Sequence, residues 1–118
     1  MHLLCVDDDL FLLQLLQHGL AAHDVAVACT AAHARTYLAT HTVDCVMTDI
    51  QMPGEDGWSL AQFIATTYPG VRIIMMSSLQ RPRVLPPYVQ DFVQKPFQCI
   101  DVINVLGSLA LTRAVEKT

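Results

Sequence analysis

A chain of 118 residues with 53% apolar content has the length of one ordinary domain and enough hydrophobic side chains for a single core. Net charge is −4, and setting aside Asp7, Asp8 and Asp49 leaves −1, so no basic stripe for nucleic acid is present and no direct DNA or RNA binding is expected. No apolar run spans a bilayer and no basic-then-apolar leader opens the chain, so a soluble cytoplasmic protein without a membrane partner is expected.

Residues 2–6 form a short apolar run that ends abruptly in Asp7-Asp8-Asp9, the pattern of a buried strand stopped by charge. Leucines at helical spacing follow over 10–22, with Asp8 or Asp9 as the cap. Leu12, Leu15, Leu16 and Leu20 take the core-facing positions of that helix, yet Leu10, Phe11 and Leu13 are apolar as well. Residues 25–29 read as a second strand, and Thr30 caps a helix over 31–40. A third strand over 43–48 delivers Asp49 to its end.

The loop Gln51-Met52-Pro53-Gly54-Glu55-Asp56 leads into a helix from Gly57 to about Thr67, stopped by Pro69-Gly70. Residues 71–76 are the most β-like run and read as a central strand that ends at Ser77. Segment 78–90 is barely long enough for a parallel crossover and carries Pro82, Pro86 and Pro87. Prolines past a first turn remove donors and clash with preceding carbonyls, so a loop or one irregular turn is expected there. A short strand over 91–94 then precedes Lys95-Pro96-Phe97, and a last helix covers 98–114, with 112–118 as a tail or the start of a linker.

Strands alternating with helices imply an α/β fold: a flavodoxin-like, doubly wound, five-stranded parallel sheet in the order 2-1-3-4-5. Strands 1 and 3 then meet at the switch point where such sheets bind ligands. Asp7, Asp49, Ser77 and Lys95 fall at or just past the carboxyl ends of strands 1, 3, 4 and 5. Cys5, Cys29, Cys45 and Cys99 show no C-x-x-C pairing and read as buried reduced thiols. The histidines show no metal-ligand spacing.

A carboxylate can attack phosphorus to form an acyl phosphate, and catalysis of that transfer is mostly positioning and charge neutralisation. Asp7, Asp8 and Asp49 supply the oxygen ligands that Mg2+ prefers, while Lys95 and Ser77 suit phosphoryl oxygens. Without a cation, carboxylates this close repel and raise the pKa of at least one. Taken singly, Asp8 and Asp9 are helix caps, and Pro53-Gly54 and Asp56-Gly57 are turn residues. Capping and turn chemistry do not require four polar residues on one sheet edge.

As a set, Val6-Asp7-Asp8, Asp49-Ile50-Gln51-Met52-Pro53-Gly54 before Asp56-Gly57, Ser77, and Lys95-Pro96-Phe97 resemble the receiver domain of two-component response regulators and hybrid histidine kinases. The resemblance runs over essentially the whole chain. It implies that Asp49 is the phosphoacceptor, that Asp7, Asp8, Asp49 and the Gln51 carbonyl hold Mg2+ (or Mn2+), and that Ser77 and Lys95 bind the phosphoryl group. It also implies a switch through Ser77 and Phe92, a cis Lys95-Pro96 bond, and Leu79 and Gln51 beside the path of attacking water. The implied partner is a histidine kinase or histidine phosphotransfer protein docking near helix 1 at Leu10, Phe11 and Leu13. Such a module catalyses only its own phosphorylation and dephosphorylation and is not otherwise an enzyme. The segment 78–90 departs from the family, where a regular helix and its output face are usual. Two other readings compete: a receiver-like interaction module working without phosphorylation, and a small phosphatase of the haloacid-dehalogenase type. The phosphatase needs a second acid where this chain has Gln51.

Overall fold

Side chains alternate across the strands, so each interior strand feeds two cores, one on either face of the sheet. The computed structural model describes residues 1–117, with side chains as far as Leu109. Its elements run β1 (His2–Val6), α1 (Leu10–Gly19), β2 (Asp24–Ala28), α2 (Ala31–Thr40), β3 (Cys45–Asp49), α3 (Gly57–Thr67), β4 (Arg72–Ser77), β5 (Asp91–Gln94) and α4 (Cys99–Lys117). The sheet is five-stranded and parallel in the order β2-β1-β3-β4-β5. This is the expected flavodoxin-like topology. The end of the 112–118 stretch lies outside the described residues, and so do the side chains of the rest of it.

Leu3, Cys5, Met47, Ile74 and Met76 face α1 and α4, where they meet Leu13, Leu16, Leu20, Val102 and Leu106. Leu4, Val6, Val46, Ile73 and Met75 face α2 and α3, where they meet Ala34, Leu38, Leu60 and Ile64. Nearly unbroken burial of β1, β3 and β4 is what a parallel sheet covered on both faces demands.

Helix α1 corrects the sequence expectation. Leu13, Leu16 and Leu20 are buried, whereas Leu15 is 45% exposed and Leu12 only partly buried. With residues 10–13, 15 and 16 all apolar, periodicity alone does not fix the inward stripe. Packing fixes it: a Cβ on Gly19 would stand 2.2 Å from Cys99 Sγ, so α1 and the start of α4 touch at that point. The helix also ends there, before residue 22. Asp9, rather than Asp8, is the cap, accepting from Phe11 N and Leu12 N at 3.1 and 3.2 Å.

Segment 78–90 holds no helix. Gln90 extends the sheet instead: its N–H donates to Ile73 O at 2.8 Å, and its side-chain oxygen accepts from Ile73 N at 2.6 Å. Leu85 and Tyr88 pack onto the α2/α3 core in place of the missing helix. Cys5 and Cys45 are buried as expected, but Cys29 and Cys99 are only partly so, Cys29 because β2 ends one residue before it. Burial first, and then Asp7, pushes the Cys5 thiol up to about 12, which leaves it protonated and inert. Among the described residues no helix is long and apolar enough to cross a membrane.

Candidate functional site

Three strand ends and one turn build the site. Asp7 follows β1, Asp49 closes β3, Ser77 closes β4, and all three are buried. Lys95 follows β5 and is drawn to the edge by its N–H, which donates to Ser77 O at 2.7 Å. Its Nζ donates to Asp7 Oδ2 at 2.6 Å and stands 3.4 Å from Asp49 Oδ1. The tighter partner, Asp7, lies 88 positions away in the chain, a separation at which no spacing rule signals a preference. Asp7 Oδ1 also accepts from Asp9 N at 2.9 Å, so the acidic run folds back on itself. The Lys95-Pro96 bond is cis.

Electrostatics follow from this crowding. Burial, and next the Asp7 charge, holds the Asp49 carboxyl above the usual carboxylate range, against the opposing pull of Lys95. Burial would lower Lys95, but the hydrogen bond and charge of Asp7, and then Asp49, outweigh it and raise the ammonium above its ordinary value. One carboxylate oxygen each from Asp7, Asp8 and Asp49 lie within 4.8 Å of one another. An all-oxygen set at that spacing, with Asp8 exposed and a net negative balance, fits a hard divalent cation such as Mg2+.

The loop after Asp49 is closely tied. Ile50 N donates to Met76 O at 3.0 Å, Gly57 N to Ile50 O at 2.7 Å, and Thr48 Oγ1 to Asp49 O at 3.0 Å. Gln51 is exposed while Met52 is buried. Asp56 caps α3 by accepting from Ser59 N at 2.8 Å. Ser77 Oγ accepts from Leu79 N at 3.0 Å, and the Leu79 side chain is half exposed. Phe92 is buried in the α2/α3 core.

Beside the carboxylates, an open groove of about 410 Å3 runs between α1 and the Lys95-Pro96-Phe97 turn, lined by Phe11, Leu12, Leu15, Pro96 and Phe97. Leu10 and Phe11 are 62% and 78% exposed next to it. Leu13 does not join them: it is core, so the expected grouping of Leu10, Phe11 and Leu13 is not one exposed surface, whereas Leu15 is exposed. A second groove of about 400 Å3, lined by His41, Val43 and Tyr68 among others, lies at the opposite sheet edge and touches none of the acids. Sequence reading also missed Arg35, which reaches the site loop at Glu55; a pair 20 residues apart leaves no periodic signal.

The sequence model of the response regulator receiver domain matches residues 3–106. The chain is 33% identical over 102 residues to protein PetR of Rhodobacter capsulatus, covering 82% of this chain and 43% of that protein. It is 32% identical over 102 residues to the probable transcriptional regulator ycf27 of Cyanidium caldarium, covering 81% of this chain and 41% of the relative. The chain thus spans about two fifths of the length of these curated relatives. A receiver domain protein (CheY-like) from Methanospirillum hungatei superposes with a TM-score of 0.89 at 20% identity, covering 98% of this chain and 97% of that one. The response regulator TrrA of Thermotoga maritima, solved in complex with Mg2+-BeF, superposes with a TM-score of 0.83 at 23% identity, covering 92% and 97%.

Proposed function

The chain belongs to the response regulator receiver domain family, and from that premise we propose that Asp49 accepts a phosphoryl group from a phosphohistidine partner. An Asp49 carboxylate oxygen attacks phosphorus, the P–N bond to the imidazole breaks, and the freed nitrogen is left to take a proton from solvent. Lys95 Nζ, already 3.4 Å from Asp49 Oδ1, pairs with a phosphoryl oxygen. The Ser77 hydroxyl turns from the Leu79 N–H to donate to another. Asp7, Asp8, Asp49 and the Gln51 carbonyl would hold Mg2+, which when bound neutralises charge on the phosphoryl oxygens. Phe92 packs in the core and pairs in register with Met75, two residues before Ser77, and a shift of Ser77 is read out through its rotamer.

The single observation that carries this reading is the gathering of three carboxylate oxygens within 4.8 Å, with Lys95 against two of those acids. The Mg2+-BeF complex of TrrA supports it by family likeness. Beryllofluoride should bind only when Mg2+ is present, and Asp49→Asn should abolish it. Binding without either requirement points to the interaction-module reading instead.

The phosphoryl donor, a histidine kinase or phosphotransfer protein, docks on Leu10, Phe11 and Leu15 beside the groove. Phe11→Glu is expected to slow transfer from a phosphohistidine protein about tenfold or more, as loss of an exposed aromatic anchor does. Labelling by acetyl phosphate should stay unchanged. An equal loss with both donors would place the effect in the site rather than in docking.

A further inference from the structure

Glu55 lies in the loop that links Asp49 to α3, and it is tied to two helices at once. Its carboxylate accepts from Arg35 Nε on α2 at 3.0 Å, from a second Arg35 nitrogen, and from Ser59 Oγ on α3 at 3.0 Å. Arg35 in turn lies over the Phe63 ring, 3.9 Å from its centroid. Arg35, and after it Ser59, holds the Glu55 carboxyl below its usual range. Isolated surface ion pairs contribute little. A forked guanidinium on a carboxylate, with a third donor and an aromatic face beneath it, is the geometry that does contribute.

Backbone hydrogen bonds tie this loop at Ile50 and Gly57, and the Arg35–Glu55 pair holds the stretch between them. Gly54 sits at φ +86°, a conformation that glycine adopts without strain, and turns the chain between Gln51 and Glu55. Gln51, Pro53 and Gly54 are exposed, and Met52 is the loop's inward anchor. Among the described residues, Arg35–Glu55 is the one ion pair that fastens this loop to another helix.

We propose that Arg35 is a positioning residue that acts through Glu55: the pair is a latch holding the Gln51–Glu55 loop in the geometry that Mg2+ binding requires. The proposal rests on the phosphoacceptor reading above. The latch joins α2 to the site, so any contact that draws Arg35 away also loosens the cation site.

Trp58, the chain's one tryptophan, follows Gly57 at the end of this loop and packs partly into the α2/α3 core, so its emission serves as a probe of packing next to the loop. The test is Mg2+ titration by Trp58 fluorescence and amide hydrogen exchange over residues 51–56. Wild type, Arg35→Ala, Arg35→Lys, Glu55→Gln and the Arg35→Ala/Glu55→Gln double variant are compared. Each single change should weaken Mg2+ binding about tenfold, the usual scale for residues supporting a metal ligand, and speed exchange at 51–56. Arg35→Lys should not rescue, because an ammonium cannot fork. The double variant should be no worse than either single one. Mg2+ affinity unchanged in the single variants overturns the latch, whether or not exchange speeds up. So does a double variant whose loss is the sum of the two singles, or full rescue by lysine. Wild type failing to bind Mg2+ sinks the phosphoacceptor reading, and the latch with it.

Discussion

Gly57→Ala should destabilise the protein by about 3 kcal/mol and abolish Mg2+ binding, because no room exists for one added carbon. A Cβ at Gly57 would stand 1.9 Å from the Asp49 carbonyl oxygen, 2.8 Å from the Asp49 carbonyl carbon and 2.9 Å from Ile50 Cα. All three are backbone atoms, so no side chain can swing aside. The close approach is built in by Gly57 N donating to Ile50 O at 2.7 Å, which seats the first turn of α3 on the Asp49 peptide. Relief therefore requires moving either α3 or the peptide that carries Asp49. Gly70→Ala is the control, since nothing lies within 4 Å of its added carbon. Denaturant midpoints and a Mg2+ titration on both variants check the result. A Gly57→Ala protein within about 0.5 kcal/mol of wild type would mean that the helix start and the acid are not coupled.

Lys95→Met should slow phosphorylation by acetyl phosphate about 10²-fold or more, the scale for losing one preorganised group facing developing charge. It should also destabilise the metal-free protein by about 2–3 kcal/mol, since Asp7 and Asp49 lose their counter-charge while methionine keeps most of the side-chain volume. The pH dependence has a definite sign. Asp49 has a raised folded-state pKa, so ionising it costs stability as pH rises from the unfolded value of about 3.9 through that raised value. Lys95, also raised, contributes stability that is full below about 10.4 and is lost only as pH climbs through its folded value. Removing Lys95 lifts Asp49 further and widens the window in which its charge destabilises. The deficit of the variant should thus be large near about pH 8 and shrink toward about pH 4. A deficit independent of pH would assign the loss to packing rather than charge.

Much of this architecture is legible in the chain because local signals agree with one another. Asp7 and Asp49 interrupt apolar runs where strands must stop, and Pro69-Gly70 ends α3 where the helix does. The prolines at 82, 86 and 87 correctly forbid a helix between β4 and β5. With strands and crossovers ordered, the topology brings Asp7, Asp49, Ser77 and Lys95 to one edge without any knowledge of side-chain contacts.

What was not legible depends on tertiary packing. The inward face of α1 is chosen by packing onto the shared core with α4, which takes in Leu13, Leu16 and Leu20 and leaves Leu15 out. Strand β2 begins at Asp24, a residue that reads as loop, because Asp24 pairs in register with His2 and accepts its imidazole at 2.7 Å. Lys95 prefers Asp7 over Asp49, and Arg35 reaches Glu55, through contacts between distant segments that no spacing rule encodes. Such contacts fix how the acids are held, while the acids themselves are plain in the sequence.

Intact mass after incubation with Mg2+ and acetyl phosphate decides whether Asp49 is a nucleophile toward phosphorus. Wild type should gain one phosphoryl group, and Asp49→Ala should gain none. An adduct on both proteins, or on neither, would contradict it.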